Sequence, residues 1–273
     1  MARTIQRVRA GSLIMKTDTE KEGIFVAKVT IEANGNVAIL RLDNGLKNSV
    51  GSELVDDISA ALMTLKNECD GMVLAGNSSF FCIGLNLPEL VHYSRSEMSD
   101  FWYRFNQVTL DLYTLPLPTA CAIEGHAPAV GTIWALCCDV RIAAEGQKLL
   151  GLLEIKLGLP TPFLTDLMLR QTVSDHAANE VLYLGELFNP EKAKEMNLIH
   201  EICPAEDVEQ KALSHITALS ARPRHALAAI KAVRTDDIRL KYERDFKTRH
   251  ETFLDCWFND STRQLLEKAA EKF

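Results

Sequence analysis

The sequence predicts an α/β fold with a layered sheet core and a helical C-terminal region. Two observations carry this reading. Between residue 25 and about residue 200, apolar runs of strand length alternate with amphipathic stretches of helical period, in three cycles. From residue 205 to 273 the period is helical almost throughout, interrupted only at Pro223 and Asp260.

Taken in order, "FVAKVTIEANGNVAILRLDNG" alternates apolar and polar residues on both sides of Asn34-Gly35, a strong hairpin signal that predicts strands near 25–31 and 37–42. Ser52 reads as an N-cap for a helix whose Leu54, Ile58, Leu62 and Leu65 share one face. "GMVLAG" is a buried strand. The second cycle runs through the helical "SEMSDFWYRFNQVTLDLYTL" to the strand "TACAIEG". The third comprises the helix opened by "APAVG", the strand "VRIAA", and "LLGLLEIKLG" leading into a helix initiated near Pro162. Residues 1–22 form an N-terminal extension, 23–203 the core, and 204–273 the helical region. There Tyr242, Phe246, Phe253, Trp257 and Leu265 are too apolar for a solvent-facing tail and are expected to cover the core or another subunit.

Composition bounds the function. A chain of 273 residues, 47% hydrophobic and 25% charged, buries a substantial core. Its net charge of -7, without a basic stripe, speaks against a nucleic-acid partner but leaves room for a small anionic ligand at a local patch. No apolar run reaches the roughly 20 residues needed to cross a bilayer, so a soluble protein with no membrane partner is expected. Seven cysteines, none at the two-residue spacing of zinc or redox pairs, point to free buried thiols, no metal, and a reducing compartment: cytoplasm or mitochondrial matrix. The first seventeen residues hold Arg3, Arg7, Arg9 and Lys16 and no acid, a composition shared by transit peptides and solvated tails.

Two glycine loops precede helices: "FCIGLNL" with Gly84, and "APAVG" with Gly131. The first-turn N–H groups of a helix lack internal partners and carry the positive end of its dipole, so two such ends that converge would stabilise an oxyanion. With their spacing, these stretches resemble the crotonase (enoyl-CoA hydratase/isomerase) superfamily over roughly residues 25 to 273. The family's first-loop pattern Phe-x-x-Gly-x-Asp-Leu is matched by "FCIGLNL", with Asn86 for the usual Asp and Leu87 closing it. The second loop is matched by "EGHAPAVG" and "CCDVRIAA". Asn48 and "LGELFNPEKAKEMNLIHEICP" match as well.

The resemblance implies a crotonase-like ββα spiral core, a C-terminal region that assembles trimers or dimers of trimers, and an acyl-CoA thioester ligand. No cofactor is implied beyond the coenzyme A carried by the substrate. The thioester oxygen would be held by the backbone N–H groups of Leu85 and Val130. Lys47, Asn48, Gly84, Asn86, Leu87, Gly131, Pro162 and Phe163 would line the substrate site, with Thr161 beside them shaping the acyl pocket. Lys47, Lys268 and Lys272 are candidates for the CoA phosphates, although a solvated role is the stronger reading for each lysine taken singly. His126, a loop histidine with no evident partner, is unassigned. Asp139 and Arg141 read as a cap and a structural ion pair, and Asn86 as a helix cap.

Hydratases of this family use two glutamates, one to activate water and one to manage the alpha-carbon proton. The first would fall at Ile133, which can do neither; the second aligns with Glu154, embedded between leucines and Ile155. One carboxylate beside an enolate-stabilising hole can move a proton between C2 and C4, a double-bond shift. "GLNL", "PAVG" and "GLPTPF" are similar to the Δ3,Δ2-enoyl-CoA isomerase branch of mitochondrial type, which implies conversion of 3-enoyl-CoA to trans-2-enoyl-CoA. Decarboxylation or carbon-carbon hydrolysis on the same scaffold, and a non-catalytic acyl-CoA-binding role, are the competing expectations.

Overall fold

The computed structural model describes the backbone at residues 4–6, 14–16, 24–26 and 28–273, and side chains from residue 28 onward. Most of the extension 1–22, and so the transit-peptide question, lies outside the described residues. Of the extension, the described residues are β1 (Thr4–Gln6) and β2 (Ile14–Lys16), which pair antiparallel.

The stretch read as one strand over 25–31 is two. β3 (Ile24–Val26) folds back on β4 (Val29–Asn34), which pairs with β5 (Val37–Leu42). The Asn34–Val37 pairing makes Gly35 and Asn36 the loop residues, one position beyond the Asn-Gly pair itself, with Gly35 at φ 61°. Helix α1 (Ser52–Glu68) is capped by Gly51 and not by Ser52, whose hydroxyl instead meets Tyr93 at 2.9 Å. The chain continues through β6 (Gly71–Ala75), the short α2 (Leu87–Leu90), α3 (Arg95–Tyr113) and β7 (Thr119–Ile123). Next come β8 (Ala127–Pro128), α4 (Val130–Cys137), β9 (Val140–Ala144) and β10 (Leu150–Gly151). Three helices, α5 (Phe163–Thr172), α6 (Asp175–Leu184) and α7 (Pro190–Glu195), lead to β11 (Glu201–Cys203). The chain is then helical: α8 (Val208–Ser220), α9 (Arg224–Trp257) and α10 (Asp260–Ala270).

The main sheet has the order β11-β9-β7-β6-β5-β4-β3, parallel from β11 to β5 and antiparallel beyond. Alternate residues of each strand enter different cores, as the two-residue period of a strand requires. Leu40, Met72, Leu74 and Cys121 join α1, α3 and α4 in the larger one. Ile39, Val73, Ala122 and Ile142 pack under Val208, Ala212 and Ile216 of α8. Six of the seven cysteines are buried and all are free. Burial pushes Cys82 up to about 12 and Cys69 to about 11, leaving both as thiols and poor nucleophiles. No described helix is long and apolar enough to cross a membrane.

Helix α9 buries a stripe, Lys231, Thr235, Ile238, Tyr242, Phe253 and Trp257, at intervals near 3.6 residues or its multiples. Phe253 stacks on Trp102 of α3 with centroids 3.5 Å apart. Of the aromatic and apolar residues expected to be covered, Leu265 stays 42% exposed, and its neighbour Leu266 takes the buried position.

Asp139 and Arg141 do not pair. Asp139 accepts from Lys231 Nζ at 2.8 Å and Arg234 at 3.1 Å, and from the Thr119 N–H and hydroxyl. Arg141 donates to the carbonyls of Leu198 and Cys138. Lys231 is 7% exposed and also donates to the Leu117 carbonyl, so it fastens α9 to the sheet. Lys231→Met is expected to destabilise the fold by about 2 kcal/mol, less than the usual loss for a broken buried pair because Arg234 and Thr119 still satisfy Asp139. Urea midpoints check this; an unchanged midpoint would refute it.

Candidate active site

Two loops meet above the C-terminal ends of β6 and β7. In the first, Gly84 takes φ +125°, a conformation L side chains rarely adopt. Gly84 and Asn86 both bond Val50: its N–H donates to the Gly84 carbonyl at 2.8 Å and its carbonyl accepts from Asn86 at 2.9 Å. That bridge leaves the intervening Leu85 N–H facing the other way. Its orientation therefore comes from a strand-like contact and not from α2, which begins only at Leu87.

The second loop is pinned from three sides. Ala127 and Ala129 donate to the carbonyls of Leu149 and Gly151 at 2.8 Å each. The Thr132 hydroxyl donates to the Ala127 carbonyl and accepts from the Gly151 N–H. Held this way, Ala129 sits at φ 49°, ψ −114°, strain of about 1–3 kcal/mol that the surrounding bonds must sustain. The next residue, Val130, is the first of α4, so its N–H is free and at the positive end of that helix.

The loops are in direct contact. The His126 carbonyl accepts from the Phe81 and Cys82 N–H groups. A Cβ placed on Gly131 would lie 2.5 Å from the Cys82 carbonyl oxygen. Neither the Leu85 nor the Val130 N–H finds an acceptor among the described residues. Both residues line one cavity of about 370 Å³, together with Ile133, Trp102, Phe253 and Glu154.

Glu154 is the sole Asp or Glu lining that cavity among the described residues. It opens a 3-10 turn, Glu154–Leu157, where the sequence reads as an alternating strand. Gly158 closes the turn in the left-handed region, and its carbonyl accepts from Thr262 of α10, so the C-terminal helix braces the acid. The residue as a whole is half-buried, but its Oε2 is enclosed and has no hydrogen-bond partner among the described residues. Burial pushes the carboxyl up to about 7, partly offset by bonds from its own and the Leu153 amide. Ile133, one turn after Val130 on α4, is 1% exposed and presents only hydrocarbon.

Several expected substrate contacts fall elsewhere. Asn48 is fully buried; its Oδ1 accepts from Asn44 and its Nδ2 donates to the Phe80 and Phe81 carbonyls, so it fixes the first loop from behind. Asn86 holds the N-cap position of α2 without capping it, and donates to Glu89 Oε2 instead. Lys47 Nζ donates to the Phe273 carbonyl at 2.8 Å and sits over its ring. Gly131 is covered by Cys82, and the His126 ring lies against Phe80. Gly84, Leu87 and Pro162 do line the cavity, as does Lys272. Thr161 and Phe163 line an adjoining chamber of about 350 Å³ that shares Trp102, Leu159, Pro162 and Phe253 with it. The Trp102 and Phe253 wall was not anticipated; in sequence, aromatics at helical spacing say only that a face is buried.

Residues 32–273 match the enoyl-CoA hydratase/isomerase family. Human mitochondrial enoyl-CoA delta isomerase 1 is 31% identical over 247 residues, covering 88% of this chain and 81% of that protein. Human mitochondrial methylglutaconyl-CoA hydratase is 30% identical over 175 residues, covering 63% and 51%. The crystal structure of human mitochondrial delta3-delta2-enoyl-CoA isomerase superposes with a TM-score of 0.86 at 29% identity, over 90% of this chain and 97% of that one. An enoyl-CoA hydratase from Bacillus halodurans, 22% identical, shares the fold with a TM-score of 0.81 over 89% and 100% of the chains. With its mixed, largely parallel sheet, its two apposed loops and its C-terminal helices, the chain belongs to the enoyl-CoA hydratase/isomerase family and has the crotonase-like fold.

Proposed function

We propose that this protein is a Δ3,Δ2-enoyl-CoA isomerase. The observation that carries the proposal is the single carboxylate side chain, Glu154, in a cavity that it shares with the two free main-chain amides and whose other charged lining side chains are Lys156 and Lys272. In this reading the thioester oxygen accepts from Leu85 and Val130. Glu154 takes a C2 proton from a 3-enoyl-CoA, the amides hold the dienolate oxygen, and Glu154 returns the proton to C4, giving trans-2-enoyl-CoA. No group is oxidised or reduced and no cofactor takes part. Hydration needs a second group to hold and activate water, and Ile133 supplies none.

The test is conversion of 3-hexenoyl-CoA to trans-2-hexenoyl-CoA, followed in the ultraviolet, beside hydration of crotonyl-CoA. The expected result is turnover of the first with negligible hydration; efficient hydration, or binding of both thioesters without turnover, overturns the proposal.

The abstracting carboxylate must be ionised, and burial holds Glu154 at about 7. The free-enzyme rate constant kcat/KM is therefore expected to fall about tenfold per pH unit below about 7 and to level off above it. A profile flat down to pH 5 would mean that another group takes the proton.

We also propose self-association through α9, in trimers. Ile230, Val233 and Leu240 fall on one face of that helix and are 68%, 79% and 56% exposed, an apolar surface that a neighbouring subunit would cover.

A further inference from the structure

Arg141 is an anomaly in charge. It is 4% exposed, yet no carboxylate forms an ion pair with it among the described residues. Its Nε donates to the Leu198 carbonyl at 2.7 Å and one terminal nitrogen to the Cys138 carbonyl at 2.8 Å. The other terminal nitrogen has no protein acceptor among the described residues. Asp139, the nearest acid in sequence, is already taken by Lys231 and Arg234. Two carbonyl dipoles do not replace a counter-charge, and a guanidinium removed from water without one is costly.

Arg141 forms part of the lining of a surface basin of about 460 Å³ that shares no residue with the catalytic cavity. Arg234 from α9, Lys194 from α7, and His200, Gln171 and Thr172 also line it, and no Asp or Glu does. The Arg141 N–H donates to His200 Nδ1 at 3.0 Å, so the neutral imidazole carries its proton on Nε2 and is a donor. Burial, then Arg141 and Arg234, hold His200 down to about 4; His215 acts in the same direction and Asp139 opposes it. Burial is the larger cause, and the two guanidinium groups add to it.

We propose that this basin is a binding site for a phosphate group, free or as the monoester of a small molecule. Arg141 provides the buried charge, Lys194 and Arg234 the flanking charges, and His200 a neutral donor. Three cations, of which only Arg234 forms an ion pair among the described residues, match a dianion better than a carboxylate. Because the basin joins β9, α5, α7 and α9, occupancy ties the helical region to the sheet edge and adds to stability by linkage.

The test is NMR of protein labelled at histidine Cε1, titrated with inorganic phosphate and with glycerol 3-phosphate against sodium chloride at matched ionic strength. The expected result is a saturable His200 shift in phosphate but not chloride, and a His200 pKa that rises toward its ordinary range. Lys194→Gln with Arg234→Gln is expected to weaken phosphate binding about tenfold while leaving turnover of CoA thioesters unchanged. Both side chains are on the surface, and Lys194→Gln alone is the second variant should the pair fail to fold. Tighter binding of glycerol 3-phosphate identifies a phosphomonoester as the ligand, and equal binding identifies free phosphate. Equal responses to phosphate and chloride, or no saturation at millimolar phosphate, overturn the proposal. So does an assembly that excludes phosphate and dissociates in the variants, since a carboxylate of a second copy would then be the missing counter-ion.

Discussion

Glu154→Gln is expected to lower kcat for 3-hexenoyl-CoA isomerisation by about 10³-fold while leaving thioester binding within a few-fold of wild type. General acid–base groups contribute about 10²- to 10⁴-fold, and a glutamine of the same shape can neither take nor return a proton. The same substitution is expected to make the protein more stable at alkaline pH. The folded-state pKa of Glu154 is raised from 4.5 to about 7, so the native state binds this proton more tightly than the unfolded chain. Its stabilising effect is present in acid and is lost as pH rises from about 4.5 to 7. Above that range the ionised, enclosed carboxylate costs up to about 3 kcal/mol. Removing the charge recovers part of this, since the amide is also poorly satisfied where Oε2 lacks a partner. Thermal melts of both proteins at pH 5 and pH 8 check the sign. Lost activity with an alkaline gain in Tm is what a group retained for chemistry against stability predicts. Unchanged activity would sink the catalytic assignment whatever the melts show.

The part of this that could be read from sequence was what periodicity and motif spacing encode. Strands β5, β6, β7 and β9 and helices α1, α3 and α8 follow from runs whose apolar period is decided locally, and the break at Pro223 separates α8 from α9. The two loops and Glu154 were singled out by the family resemblance; by itself each loop reads as an ordinary turn into a helix, and Glu154 reads as readily as a surface acid. What was hidden depends on distance in space. Asn48 matches a family position, but its amide is consumed by the Phe80 and Phe81 carbonyls across 32 and 33 residues, which no local pattern announces. Asp139 and Arg141 sit two apart on a strand entry, and their separation is decided by Lys231 and Arg234 arriving from α9, 92 and 95 residues on. The Trp102 and Phe253 wall of the cavity likewise joins α3 to α9.

Gly131→Ala is expected to reduce kcat by about 10²- to 10³-fold with little change in thioester affinity. The substitution touches no atom that reacts. Its Cβ would meet the Cys82 carbonyl oxygen at 2.5 Å, closer than such atoms approach, and the Ala127 Cβ at a tight 3.1 Å, so the two loops must separate. The Val130 N–H is one residue away on a segment already strained at Ala129, and the Leu85 N–H is three residues beyond Cys82. Moving one loop against the other therefore changes the distance between the two amides. A transition-state oxyanion rewards donors at about 2.7–3.1 Å, and loss of one donor is worth about 10²- to 10³-fold in kcat. Ground-state binding relies on the rest of the thioester and is affected less. Val130→Gly is the complementary variant. It deletes the side chain and keeps the main-chain donor, so kcat is expected to stay within a few-fold of wild type. If Gly131→Ala is folded by its circular dichroism and still isomerises normally, the amides are not the oxyanion donors. If Val130→Gly is as damaged as Gly131→Ala, the valine side chain, and not its N–H, is what the reaction uses.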